Sequence, residues 1–158
     1  MSEPIRIGNA SGFFGDRFSA FREMLDGGPL DVLTGDYLAE LTMLILGRTL
    51  LKDPKAGYAR TFLSQMEDAL GLAAQRGVKI VTNAGGLNPA GLADAMHELA
   101  SRLGLDTTIA YVEGDDLRAR AASARPAGFK PPAFTTILMP FVLHVAAISS
   151  SWRRKVRA

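Results

Sequence analysis

The sequence predicts an α/β fold: a Rossmann-like, open parallel sheet with helices on both faces. Three observations carry that expectation. Short apolar runs alternate with longer stretches of helical periodicity along residues 5–112, and each run passes into a turn rich in Gly, Asn or Asp. The helical stretches open at residues suited to capping. Strands that alternate with helices imply parallel pairing, because a crossover brings the chain back to the sheet in the same direction. Crossovers of one hand then gather the turns after the strands on one edge. At that edge open α/β sheets bind ligands.

The elements follow in order. Ile5 to Gly8 reads as a first strand, running into Asn9-Ala10-Ser11-Gly12-Phe13-Phe14-Gly15-Asp16. A helix with Phe18, Phe21 and Leu25 on one face comes next, stopped by Gly27-Gly28-Pro29. Leu30 to Leu33 is a second strand, ending in Thr34-Gly35-Asp36. Asp36 is the expected cap of a helix bearing Leu38, Leu41, Leu44 and Ile45. Asp53 and Pro54 are the expected cap and first residue of a third helix, with Phe62, Leu63, Met66 and Leu70 on one face. Val78 to Val81 is a third strand, followed by Thr82-Asn83-Ala84-Gly85-Gly86-Leu87-Asn88-Pro89. Asn88 caps the next helix and Gly104 stops it, with Leu92, Met96, Leu99 and Leu103 in a narrow arc. Thr107 to Val112 is a fourth strand, leading to Glu113-Gly114-Asp115-Asp116 and a short charged helix over 117–124.

Composition narrows the chemistry. The chain has 158 residues, enough for one domain with a core. It has no cysteine and two histidines, His97 and His144, which excludes thiolate metal sites and disfavours a histidine-rich one. No metal site is predicted, although oxygen ligands could hold magnesium. The composition names no cofactor. The isoelectric point near 9.2 is set by the far end of the chain. Beyond Pro131 stand Arg153, Arg154, Lys155 and Arg157 with no acidic residue, leaving 14 basic against 16 acidic residues in 1–130. A body with a net charge of −2 lacks the basic face of a nucleic-acid binder. Met1-Ser2-Glu3-Pro4 has no basic leader, so the expected location is the cytoplasm.

The division expected is an α/β domain over 1–130 and an atypical tail over 131–158. Ala133 to Ile148 is mostly apolar over its 16 residues but contains Pro140 and His144. It falls short of the roughly 20 residues a spanning helix needs, so a membrane span is not expected.

Candidate residues gather at the turns. In the first, Asn9, Ser11, Gly12 and Asp16 combine polar side chains with backbone N–H groups able to converge on an anion or carboxylate. The alternative is a tight turn using those residues as caps. In the second, Asp36, Tyr37 and Glu40 stand together, and Asp36 with Glu40 at i, i+4 could share a metal or act as acid and base. The bland reading is a cap and a glutamate favoured by the helix dipole. In the third, Asn83, Gly85, Gly86 and Asn88 suit a phosphate or thioester oxygen at a helix N-terminus, with Thr82 beside them. The competing explanation there is a glycine turn with an Asn-Pro cap. Asp115 and Asp116 read as a solvated helix start. Neither the dinucleotide glycine fingerprint nor the lysine-containing phosphate loop is present. No serine–histidine–carboxylate set can be assembled.

These junctions also carry a resemblance. Arg6-Ile7-Gly8-Asn9-Ala10-Ser11-Gly12-Phe13-Phe14-Gly15-Asp16, Leu33-Thr34-Gly35-Asp36-Tyr37-Leu38-Ala39-Glu40 and Val81 to Pro89 resemble segments of the acyclic terpene utilisation (AtuA) family. Asp53-Pro54 and Gly57-Tyr58-Ala59 agree, and the similarity covers about residues 5 to 130. It implies a link to bacterial breakdown of acyclic terpenoids such as citronellol and geraniol, whose later steps run on coenzyme A thioesters. It carries over no catalytic assignment. Asn9, Asp16, Asp36, Tyr37, Glu40, Asn83 and Asn88 transfer as matching positions only. Family members are longer, and the segment from Pro131 onward does not resemble them. A truncated or frame-shifted gene is the simplest expectation for that tail.

The expectation is therefore a fragment that binds an acyl-CoA or related carboxylated intermediate. In it Asp36 and Asn83 serve as candidate catalytic residues, and Asn9, Ser11, Gly12, Asp16, Tyr37, Glu40, Gly85, Gly86 and Asn88 as ligand contacts. Two alternatives stand beside it: a non-catalytic subunit associated with a biotin-dependent acyl-CoA carboxylase, and an inactive remnant. Self-association into a homo-oligomer is compatible with each.

Overall fold

The computed structural model describes residues 3–114, residue 116 and residues 156–157. The chain forms strand β1 (Ile7–Ser11), helix α1 (Ala20–Asp26), strand β2 (Val32–Gly35), helices α2 (Glu40–Lys52) and α3 (Arg60–Arg76), strand β3 (Lys79–Thr82) and helix α4 (Pro89–Arg102). Two-residue strands β4 (Tyr111–Val112) and β5 (Val156–Arg157) are the remaining elements among the described residues.

β1, β2 and β3 form an open parallel sheet in that order. Each crossover steps sideways in the same direction, and crossovers of one hand then place their helices on one face. Leu33 is fully buried on that face, with Gly8 and Ile80 beside it in register. The core beneath unites Phe21 and Leu25 of α1, Phe62, Met66 and Leu70 of α3, and Leu92, Met96 and Leu99 of α4. Phe62 meets Phe21 and Tyr37 edge to face, at centroid distances of 5.9 and 5.8 Å. Such pairs add to area burial because the positive ring edge meets a negative ring face. Arg76 seals the outer side of this layer: its guanidinium donates to the Leu25 carbonyl and lies 3.3 Å from Asp26.

Among the described residues no helix covers the opposite face. Ile7 remains 65% exposed and Val81 56%, and Asn9 and Lys79 are exposed with them. A helix reaches the second face of such a sheet when the strand order reverses, and no reversal occurs among the described residues. α2 packs elsewhere: its Met43 and Leu46 are buried, and Leu46 lies against the turn at Gly86.

Several element boundaries are also corrected. Each strand of the sheet sits further toward the C-terminus than its apolar run, drawing Asn9, Ser11, Thr34, Gly35 and Thr82 into the ladder. α1 begins at Ala20, so Phe18 lies outside it and is exposed. α2 begins at Glu40 after Ala39, and its cap makes no side-chain hydrogen bond, so Asp36 does not cap it. α3 begins at Arg60 rather than Pro54. Asp53 instead closes a turn, its Oδ1 accepting from Lys55 N at 2.9 Å and its carbonyl from Ala56 N at 2.9 Å. The fourth strand shrinks to Tyr111–Val112 and pairs antiparallel with β5, apart from the parallel sheet. Thr107–Val112 is half polar and follows a glycine stop, and local β propensity does not by itself choose a partner strand.

Among the described residues no helix is long and apolar enough to cross a membrane. The expected helix over 117–124 and the 131–148 part of the tail lie outside the described residues.

Candidate functional site

The three strands end on one register row, Ser11 beside Gly35 beside Thr82. Three turns leave from that row, as the sequence predicts for its first three junctions. The row is reached through an irregularity. Asn9 pairs with Thr34 and Ser11 with Gly35, so Ala10 is an extra residue that bulges β1. The bulge rotates the strand by one side chain. Asn9 therefore lies on the open face beside Thr34, whereas Ser11 turns to the covered face and is buried.

The bulge splits the first-turn candidates. Asn9 Oδ1 accepts from the Thr34 hydroxyl at 2.8 Å, and its Nδ2 donates to the Ser11 carbonyl at 3.0 Å. Asp16 folds back on its own turn, accepting from Gly12 N at 3.1 Å and from Arg17 N at 2.8 Å. These two backbone donors hold the Asp16 carboxyl below its ordinary range, with the charge of Arg17 acting in the same direction. Asp16 is thus the staple of the first turn. The N–H groups of Phe13, Phe14 and Gly15 have no acceptor among the described residues.

The second and third turns are joined side chain to backbone. Asn83, one residue beyond β3, accepts from Tyr37 N at 2.8 Å and donates to Asp36 Oδ1 at 2.6 Å. The same oxygen of Asp36 accepts from Leu38 N at 3.3 Å. Its second oxygen has no hydrogen-bond partner among the described residues, and the side chain is exposed. An oriented carboxylate with one open oxygen can accept a proton or hydrogen bond from a ligand.

Tyr37 points the other way. Its ring is fully buried and its hydroxyl donates to Gln65 Oε1. Burial pushes the Tyr37 phenol above its ordinary range. The Ser11 hydroxyl opposes that shift and the charge of Asp16 adds to it. Gly35 is required beneath it, since a Cβ there would stand 2.8 Å from the Phe21 ring and 2.9 Å from the Tyr37 ring.

The third turn spends most of its donors on the protein. Gly86 N, Leu87 N and Asn88 N donate to Asn83 O, Gly57 O and Gly85 O. Ala84 N donates to the Thr82 hydroxyl at 3.0 Å, which donates to Gly35 O at 2.9 Å. Gly85 N has no acceptor among the described residues. Asn88 caps α4 through Gly91 N at 3.0 Å and ties the turn to Ala56 O at 3.0 Å.

Glu40 is exposed at the start of α2, and its side chain has no hydrogen-bond or ion-pair partner among the described residues. Because Asp36 precedes the helix, the two carboxylates do not share an i, i+4 helical face. Among the described residues no three His, Cys, Asp or Glu side chains come together as a metal site. Asp116 is exposed, and Asp115 lies outside the described residues.

Sequence reasoning missed Thr34 and Gln65. Thr34 carried the signal of a polar residue at a strand end. Gln65 carried the signal of a polar residue three positions after Phe62 and four before Ala69 in the apolar stripe of α3, but its partners Tyr37 and Arg17 are visible only in three dimensions.

Comparisons with known proteins reach this chain at the level of family. Neither curated proteins nor solved structures gave a match. Residues 5–136 match the family described as acyclic terpene utilisation family protein AtuA, a stretch that runs six residues beyond the one read from the motifs. It covers all three turns and every residue of the three-stranded sheet, and the chain belongs to the acyclic terpene utilisation AtuA family.

Proposed function

We propose that the carboxyl edge of the sheet binds a small carboxylated intermediate or its coenzyme A thioester in the utilisation of acyclic terpenes. The family supplies the pathway. The observation that carries the site is the pairing of Asp36 with Asn83: a carboxylate locked on one oxygen and open on the other to a donor group of the ligand, at the end of a parallel sheet. The N–H groups of Gly85 and of Phe13 to Gly15 supply donors for a carbonyl or carboxylate oxygen on either side of it. In this reading Asp36 contacts the reacting group and Asn83 orients Asp36. Asn9, Ser11, Gly12, Asp16, Tyr37, Glu40, Gly86 and Asn88 shape the edge.

Calorimetric titration of the full chain with octanoyl-CoA, beside free coenzyme A and octanoate, tests the ligand class. Saturable binding of the thioester, weakened by Asp36→Asn, is expected. Heats no larger than buffer dilution for all three ligands would remove the reading.

A second reading draws on the uncovered sheet face with Ile7 and Val81. In it the chain is a non-catalytic subunit seated on a biotin-dependent acyl-CoA carboxylase. Co-purification with carboxylase subunits that survives Asp36→Asn but fails after Val81→Lys would favour it.

A further inference from the structure

Gln65 lies on α3 with no exposed surface, inside a layer otherwise made of Phe21, Phe62, Met66 and Tyr37. A buried amide is costly unless both its ends find partners, and a methionine would fill the same space without that demand. Both ends of Gln65 are engaged. Its Oε1 accepts from the Tyr37 hydroxyl, and its Nε2 donates to the Arg17 carbonyl at 2.9 Å.

Those partners belong to different turns. Arg17 directly follows Asp16 at the close of the first turn, and its N–H is held by the Asp16 carboxylate at 2.8 Å. Tyr37 stands in the second turn, and its N–H is held by Asn83 of the third at 2.8 Å. Asn83 in turn holds Asp36 at 2.6 Å. An unbroken path thus runs from Arg17 through Gln65 and Tyr37 to Asn83 and Asp36, tying the rear of the binding edge together through α3.

We propose that Gln65 is a positioning residue for this edge: acting through Tyr37, it fixes Asp36 and Asn83 relative to the first turn without touching the ligand. The role rests on the proposed binding edge. Burial keeps the Tyr37 phenol protonated across the ordinary pH range, so the donor that Gln65 needs is always present.

The test compares wild type, Gln65→Met, Tyr37→Phe and the double variant, each as the full chain. Amide hydrogen exchange is read at Gly12, Arg17 and Tyr37, with Met96 and Leu99 of α4 as internal references. Gln65→Met is expected to speed exchange at the three turn amides by about tenfold relative to the references, and to weaken octanoyl-CoA binding about fivefold. At the Tyr37 amide, adding Gln65→Met to Tyr37→Phe is expected to change little further, because both cut the same path. A role in packing alone would lower the melting temperature while leaving turn exchange, affinity and additivity as in independent sites, and that result overturns the proposal. If Gln65→Met does not fold, Tyr37→Phe decides: unchanged exchange at Gly12 and Arg17 overturns it. Absence of thioester binding by wild type removes the ligand reading, and the exchange comparison still decides the coupling.

Discussion

The side-chain amide of Asn83 donates to the carboxylate of Asp36 at 2.6 Å, across the turns that follow the third and second strands of the sheet. The other end of the same amide receives the backbone N–H of Tyr37 at 2.8 Å. One side chain therefore sets both the carboxylate and the path of the loop that carries it.

Replacing Asn83 by Ala should free Asp36 and leave Tyr37 N without its acceptor. The expected loss is about 1 kcal/mol of stability, the scale of one net hydrogen bond near the surface, together with weaker octanoyl-CoA binding. Asn83→Asp should keep the acceptor for Tyr37 N but set a second carboxylate against Asp36. Its stability at pH 7 should rise with added salt, which screens like charges, while that of Asn83→Ala changes little. Thermal melts at low and high salt distinguish the two variants.

Gly86→Ala tests the third turn. Gly86 has φ of 52°, and a Cβ there would stand 2.5 Å from Leu46 Cδ1 and 2.8 Å from Gly57 O. Left-handed strain and the clash together should cost at least about 2 kcal/mol. Urea denaturation should show a lower midpoint with an unchanged slope.

Asp16 gives a signed pH effect. Its carboxyl titrates below the ordinary value of 3.8 in the folded chain, because Gly12 N and Arg17 N donate to the ionised form. The contribution is fully present above the unfolded value and is lost as pH falls through the folded one. Wild type should therefore exceed Asp16→Asn in stability at pH 7, and the difference should shrink as pH falls below the ordinary value of 3.8. A gap that stays constant down to pH 2 would show that the carboxylate is not the stapling group.

Phe62 is the aromatic hub beneath the edge, in contact with both Phe21 and Tyr37. Phe62→Ala should cost roughly 3–5 kcal/mol, as buried aromatic truncations do. Because the Tyr37 ring loses its support, near-ultraviolet dichroism from tyrosine should fall under conditions where far-ultraviolet dichroism still reports a folded chain.

Much of this architecture was legible beforehand, and the reasons differ by element. Asn88-Pro89 marked the start of α4 because the cap and the proline act within one turn of their own residues. Phe62, Met66 and Leu70 marked the buried face of α3 because helical periodicity is local. Asp36 and Asp53 misled for the complementary reason. Each is a good cap, yet each is engaged in a turn before the helix, Asp36 with Asn83 47 residues away. The fourth strand failed because strand formation depends on a partner that local pattern does not name.

The class of fold, the order of its first three strand–turn junctions and the family could be read from contiguous residues, since these rest on periodicity, capping chemistry and local motifs. Which candidates meet was set by the packing of distant segments. The bulge at Ala10 sent Asn9 and Ser11 to opposite faces, and among the described residues the strand order does not reverse and one face of the sheet carries no helix. The buried amide of Gln65 was joined to Tyr37 and Arg17 from 28 and 48 residues away. Those outcomes depend on register and on pairings between distant segments, which hydrogen-bond geometry fixes only once the chain has closed on itself.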